Sequence, residues 1–380
     1  GSKLSNSLQK QRAYLQEQFN QSLDKDIDST ARAVKKISEY REIFYKRANF
    51  PTLSANLEGI YNQEAEDEIK FYSSFFERTN TSLVVPILTR FWIEGTKRRN
   101  HSDYRDALKA LASFYVLRRA SVPDTDTLQE QFRQLMNGVG AYPGLKLENP
   151  SSDISLDNFK SSLRLLLKQG SFAIDLDHLP GSAQLESQSL DWAQRVNEQN
   201  HYKNAKSLLR FLLLAAHHNT KVEADGTVTK KGAAPSSSRE FMNFSSLTNF
   251  ELASVEHVAP EKENVTYSSV YKAGLLNSLG NFALLPSWQN SSLQDSDWEI
   301  KSTFFKVSQE DDHVKRKGIM DASPHKLPKK VTQKFKDNSL KKIELLSGLD
   351  KVLKWDDALV KKRGLRLAQN VWDNLLPWLY

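Results

Sequence analysis

Glu256 and His257 stand side by side in the run Val255-Glu256-His257-Val258-Ala259-Pro260. A histidine at a strand end can take a proton from water, and a carboxylate beside it can help hold a cation at a phosphate under attack. Hard cations such as Mg²⁺ or Mn²⁺ prefer oxygen ligands and keep several waters. One carboxylate and one amide oxygen are therefore a sufficient protein contribution. Neighbours on a strand point to opposite faces, so the pair serves one site only where the strand ends or bends. Pro260 provides such a bend. Downstream lie Gly280-Asn281-Phe282-Ala283-Leu284-Leu285 and Asn290-Ser291-Ser292-Leu293, two asparagines nine residues apart. Each residue also has a plainer reading: a structural histidine, a turn asparagine after glycine, and an N-cap. The joint pattern favours the chemical one.

The elements that must position these residues are legible from periodicity. Residues 250–258 alternate as a strand, 282–285 form a second short apolar run stopped by Pro286, and Asn290-Ser291-Ser292 caps a helix through Phe305. The order is strand, loop, strand, helix. Before it, helical spacing recurs over 4–22, 27–47, 64–79, 83–97, 103–119, 125–137, 155–169 and 201–216. Phe71, Tyr72, Phe75 and Phe76 share one helix face and are expected in the core. The segment 205–214 is apolar nearly all round, as a buried helix would be. Residues 221–231 could form a hairpin, but a solvated loop is the reading preferred here, followed by a flexible connector at 232–238. Two helices, 329–346 and 356–375, are expected to close the chain. The fold class expected is mainly α: an α-helical domain over 1–218, a linker or hairpin over 219–240, and a small α+β ββα-metal (HNH, His-Me finger) domain over 241–380 flanked by helices.

On these residues the sequence resembles the C-terminal nuclease part of the GmrSD-type and SspE-type anti-phage restriction proteins. The shared pattern is an acid-His-x-x-Pro strand, a Gly-Asn-aliphatic strand, and a helix that opens with Asn and carries a later Lys, here Lys301. The final helix, with Val360, Arg363, Leu367 and Trp372, is also similar, as is the helical stretch before the motif; 255–301 is the specific part. The resemblance implies a Mg²⁺- or Mn²⁺-dependent endonuclease acting on double-stranded DNA and leaving 5′-phosphate and 3′-hydroxyl ends. His257 would be the general base, and Glu256 with Asn290 would hold the metal. Asn281 would brace the loop facing His257, and Lys301 would lie near the phosphate. It also implies an N-terminal nucleotide-hydrolysing sensor domain as partner. No phosphate-binding Gly-rich loop occurs in this sequence, so the chain reads as an effector fragment. The SspE-type setting, linked to DNA phosphorothioation, is preferred over attack on modified phage DNA. A catalytically inactive DNA-binding or interaction module is the rival of a different class.

Bulk properties agree with this reading without forcing it. The chain has 380 residues, enough for two cores, and 39% hydrophobic content marks a folding sequence. There is no cysteine, which excludes disulfides, thiolate nucleophiles and Cys-ligated zinc. No apolar run approaches bilayer length, so no membrane partner and a cytoplasmic location are expected. Gly1-Ser2, without an initiator Met, reads as the remnant of a cleaved tag. Lys and Arg outnumber acids 53 to 46. The excess concentrates in 315–336, where Lys315, Arg316, Lys317, Lys326, Lys329 and Lys330 would track DNA phosphates. Two other features are set aside. Asp177-His178-Leu179-Pro180 imitates the motif, but its proline comes one residue early. His217-His218 reads as a solvent-facing helix end interacting with the dipole.

Overall fold

The computed structural model describes residues 28, 30–45, 57, 59, 63–122, 125–145, 154–178, 181–230, 239–249, 254–286, 293–336 and 342–380. The helix expected at 4–22, the connector at 232–238 and the 290–292 cap lie outside these. The chain is mainly helical with two small antiparallel strand pairs. The longer helices are α1 (Gln63–Arg78), α2 (Val84–Arg98), α3 (Ser102–Ser121), α4 (Asp126–Asn137), α5 (Leu156–Leu167), α6 (Ala183–Glu198) and α7 (Lys206–His217). Further along come α8 (Trp298–Gln309), α9 (His313–Ala322), α10 (Lys329–Lys336) and α11 (Asp357–Leu375). The strands are β1 (Lys221–Val222), β2 (Val228–Thr229), β3 (Ser254–His257) and β4 (Phe282–Leu285).

α3 is buried almost all round, with Ala107, Leu111, Phe114 and Leu117 fully enclosed. Even its Arg118 points inward, donating to the carbonyls of Leu166 (2.9 Å) and Leu167 (2.8 Å) at the end of α5. Leu166 O also accepts from Gln169 N (3.1 Å) and Gln131 Nε2 (2.7 Å), and Leu167 O from Ile174 N (2.9 Å), so the guanidinium joins a shared set of donors at the carbonyl end of the helix. The expected aromatic face of α1 is core: Phe75 lies 4.2 Å, ring centroid to centroid, from Phe211 of α7. α7 is buried from Leu208 to His217, as its composition suggested.

α11 joins the helical part to the strand pair. It lies against α6, α7 and the turn Leu279–Asn281, and its continuation Leu376–Leu379 packs on α3. Asn370 Nδ2 donates to Ala216 O and Val228 O, and Asn374 Nδ2 to Ala215 O. Two buried amides thereby close the carbonyl end of α7.

Three expectations change. α6 and α9 were not anticipated. The buried stripe of α6, Leu185, Ser189, Trp192, Ala193 and Val196, is diluted by polar residues, so periodicity alone hides it. Residues 221–229 form a docked hairpin rather than a solvated loop. Val228 and Thr229 are buried, Gly226 turns at φ +82°, and Lys230 N donates to Asn370 Oδ1. His217 is buried as well, and His218 is half-buried. His217 Nδ1 pairs with Leu213 O, while His218 Nδ1 accepts from Phe241 N and Met242 N. Burial holds them down at about 3 and about 4, so both are neutral and neither answers the helix dipole. The imitation motif is irregular at Asp177 and His178, as expected, and Leu179 and Pro180 lie outside the described residues.

Candidate active site around His257

β3 and β4 pair antiparallel, with Glu256 opposite Ala283 and His257 opposite Phe282. His257 is the last residue of β3, and the chain turns immediately after it. Asn281 makes that turn rigid. Its Oδ1 accepts from Ala259 N (2.8 Å) and Trp355 Nε1 (3.0 Å), and its Nδ2 donates to Ala259 O (3.0 Å) and Leu276 O (2.8 Å). Its carbonyl accepts from Val258 N (2.8 Å). The amide makes two bonds as donor and two as acceptor, and the residue is fully buried. Asn281 therefore holds the loop that follows His257 and does not face a reacting atom.

Gly280, before it, is required by close approach. A Cβ there would collide with the carbonyl oxygen of Val360 and the backbone nitrogen of Gly364 on α11. Arg363 of the same helix donates to Gly280 O (2.6 Å) and Phe282 O (2.8 Å). The Gly-Asn pair thus seats the final helix against the strand.

The imidazole of His257 packs against the stacked pair Tyr202 and Phe282, with ring centroids 4.4 and 4.6 Å away. Nε2 lies 3.2 Å from Asn277 Oδ1. An amide oxygen accepts, so this pairing assigns the proton to Nε2 and the lone pair to Nδ1. Burial is the largest influence on the ring and moves its pKa below the ordinary value, against the opposing pull of Asn277 and Glu261.

Glu256 and Lys301 form a separate buried arrangement. Lys301, on α8, donates from Nζ to Glu256 Oε1 (3.1 Å), His257 O (3.1 Å) and Val258 O (2.9 Å). The side chains of the pair are 8% and 1% exposed, so all three donors of the ammonium act inside the protein. Burial raises the Glu256 carboxyl to about 7 despite the lysine, and lowers Lys301 despite the carboxylate. Loss of hydration outweighs attraction for both partners. α8 is held over the strands by Trp298, which donates to Leu353 O (3.1 Å) and lies 5.1 Å from the Trp355 ring.

The structure therefore brings Glu256, His257, Asn281 and Lys301 together, with Asn281 bracing the loop as expected and Glu256 and Lys301 placed differently. Lys301 is buttressed beneath the strand and does not reach a phosphate. Glu256 faces Lys301 rather than a cation. Asn290 lies outside the described residues. Among the described residues no group of three His, Cys, Asp or Glu side chains could hold a metal ion. Glu256 is already bonded to the Lys301 ammonium, whose charge opposes a second cation at that carboxylate.

The expected lysine face divides in two. Lys315, Lys317, Lys326, Lys329 and Lys330 are exposed, and Lys317, Lys326 and Lys329 line a cavity of about 870 Å³ with Met320 and Leu327. Arg316 is not part of that face. It is 2% exposed, donates from Nε to Glu310 O and lies 5.9 Å from the Phe335 ring centroid. Asn277, Tyr202 and Lys206 were not identified from sequence. Asn277 stands three residues before Gly280, while the other two are more than fifty residues before His257 and carry no local signal.

No helix among the described residues is long and apolar enough to cross a membrane. Residues 187–370 match the family described as GmrSD restriction endonucleases, C-terminal domain. No curated protein matches the chain. The matched stretch begins within α6 and ends within α11, enclosing the His257 site and the hairpin. Residues 187–370, 184 of the chain's 380, are thus similar to the C-terminal domain of GmrSD restriction endonucleases, a likeness to a restriction-type nuclease.

Proposed function

We propose that the chain is a His-Me finger (HNH) endonuclease acting on double-stranded DNA with His257 as general base. One observation carries the reading: a histidine at a strand end, packed against two rings and held by Asn277 in a single tautomer. Nδ1 would take the proton of the attacking water as its oxygen bonds to phosphorus. The bond to the 3′ oxygen breaks, leaving a 5′-phosphate, and the departing oxygen gains a proton from solvent. A lowered pKa keeps the base unprotonated at neutral pH.

The Mg²⁺ or Mn²⁺ implied by the resemblance would use Glu256 and Asn290. Because Glu256 is engaged by Lys301, no step is assigned to a metal here. The exposed lysines of α9, α10 and the loop between them supply a surface for DNA phosphates. The biological setting proposed is anti-phage defence linked to phosphorothioate modification, with a nucleotide-hydrolysing sensor domain as partner and a cytoplasmic location. GmrSD-like attack on modified DNA is the other setting.

The Glu256–Lys301 pair favours a second reading, an inactive DNA-binding module. Supercoiled plasmid incubated with Mg²⁺, Mn²⁺ or a chelator separates the two. Conversion to nicked or linear DNA supports the nuclease; intact plasmid under every condition supports the module.

A further inference from the structure

The site needs a cation that can meet a phosphate, and Lys301 is not free to be one. Its three donors are engaged and its side chain is 1% exposed. Three charged side chains influence His257: Glu261, Lys301 and Lys206. Lys206 is the exposed cation among them. No ion pair with a carboxylate is found for it among the described residues. Its ammonium instead rests on the face of Tyr202, 4.2 Å from the ring centroid. Tyr202 is itself 4.4 Å from the His257 ring and stacks on Phe282 at 5.6 Å. A free ammonium is thus held one aromatic ring away from the base.

Its place in the chain is otherwise unfavourable. Lys206 opens α7, whose first turn carries no acid and whose N-cap, Ala205, makes no side-chain bond. A cation at that end opposes the helix dipole. Core formation does not require it, because the buried part of α7 begins at Leu208. The aromatic ring under the ammonium limits its motion and keeps it beside the base. The turn His201–Asn204 presents Tyr202 for this purpose, closed by Asn200 Oδ1 accepting from Lys203 N (3.1 Å).

We infer that Lys206, seated on the ring of Tyr202, binds a DNA backbone phosphate next to the one attacked at His257. The inference rests on the nuclease reading of His257. In duplex DNA each strand carries a phosphate every 3.4 Å of axis, so a base and a cation separated by one ring address neighbouring positions. Tyr202 acts as a positioning residue, and Lys206 is the group that touches substrate.

The test uses the 380-residue chain with a labelled 30-base-pair duplex in a chelator, and supercoiled plasmid under cleaving conditions. Binding is followed by fluorescence anisotropy from low to moderate salt. Lys206→Met should reduce the slope of log K against log salt by about 0.9, the loss of one phosphate contact. It should also lower kcat/KM for cleavage about tenfold. Lys206→Arg, which keeps the charge, should restore both properties. Lys206→Arg should melt at the parent temperature and Lys206→Met at or slightly above it, since Lys206 is exposed and its charge opposes the helix dipole. A Lys206→Met protein with parental slope and parental cleavage overturns the inference. A His257→Ala protein that cleaves as well as the parent overturns the nuclease reading instead, whatever Lys206 does. A parent that neither binds nor cuts DNA overturns both.

Discussion

Replacing Lys301 by methionine keeps a long side chain and removes its charge and three donors. The acceptors left behind are Glu256 Oε1, His257 O and Val258 O, all in the protein interior. A buried acceptor without a partner costs about 1–3 kcal/mol, and breaking a buried ion pair about 3–5 kcal/mol in total. The loss depends on pH through Glu256, whose folded pKa of about 7 lies above the unfolded value of about 4.3. A raised carboxyl pKa means that stability falls as pH rises from the unfolded value toward the folded one. In the parent that fall ends near pH 7. Without Lys301 the folded pKa moves higher still, so the fall continues. Between pH 7 and 8.5 the added penalty reaches about 2 kcal/mol, at 1.36 kcal/mol per unit. Urea unfolding followed by circular dichroism at pH 5.5 and 8.5 reads both values. Lys301→Met should be destabilised by about 3–5 kcal/mol at pH 8.5 and by about 2 kcal/mol less at pH 5.5. A difference from the parent below about 1 kcal/mol at pH 8.5, or a larger one at pH 5.5, would refute the buried pair.

Asn277→Ala should leave the fold intact and lower cleavage roughly tenfold or more, because the imidazole loses the partner that selects its tautomer; single-turnover plasmid cleavage measures this. Since burial lowers the His257 pKa, the acid limb of the cleavage profile should fall below pH 6.5, the ordinary histidine value; a limb centred above 6.5 contradicts the assigned environment. Gly280→Ala should cost several kcal/mol in urea unfolding, since its methyl group meets the α11 backbone. The neutral His217 and His218 have folded pKa values below the unfolded one. Their contribution is present above about pH 6.5 and declines as pH falls toward about 4. His217→Gln should flatten that part of the stability profile.

The strand pair, the turn between its members and the aromatic face of α1 were legible because each leaves a local signature. β3 and β4 alternate or run apolar, Gly280-Asn281 marks a close approach with a turn, and the ring-bearing residues of α1 recur on one face. What sequence could not convey was burial of charge. Lys301, Arg316, His217 and His218 are polar residues at ordinary positions, and only tertiary contacts turn them inward. Lys301 meets Glu256 across 45 residues. Spacing therefore placed the lysine near the site but not beneath it. α6 was missed because Ser189 and Asn197 stand where apolar residues would have completed its stripe, and Asn197 Oδ1 instead accepts from Ser278 Oγ (2.5 Å). Tyr202 and Lys206 belong to the site through the fold alone.

The central claim is that His257 removes the proton of the attacking water. Single-turnover cleavage of supercoiled plasmid by parent and His257→Ala protein, with equal folding confirmed by circular dichroism, tests it most directly. The account predicts a loss of about 10²–10⁴-fold for the variant. Cleavage by His257→Ala within about threefold of the parent would contradict it.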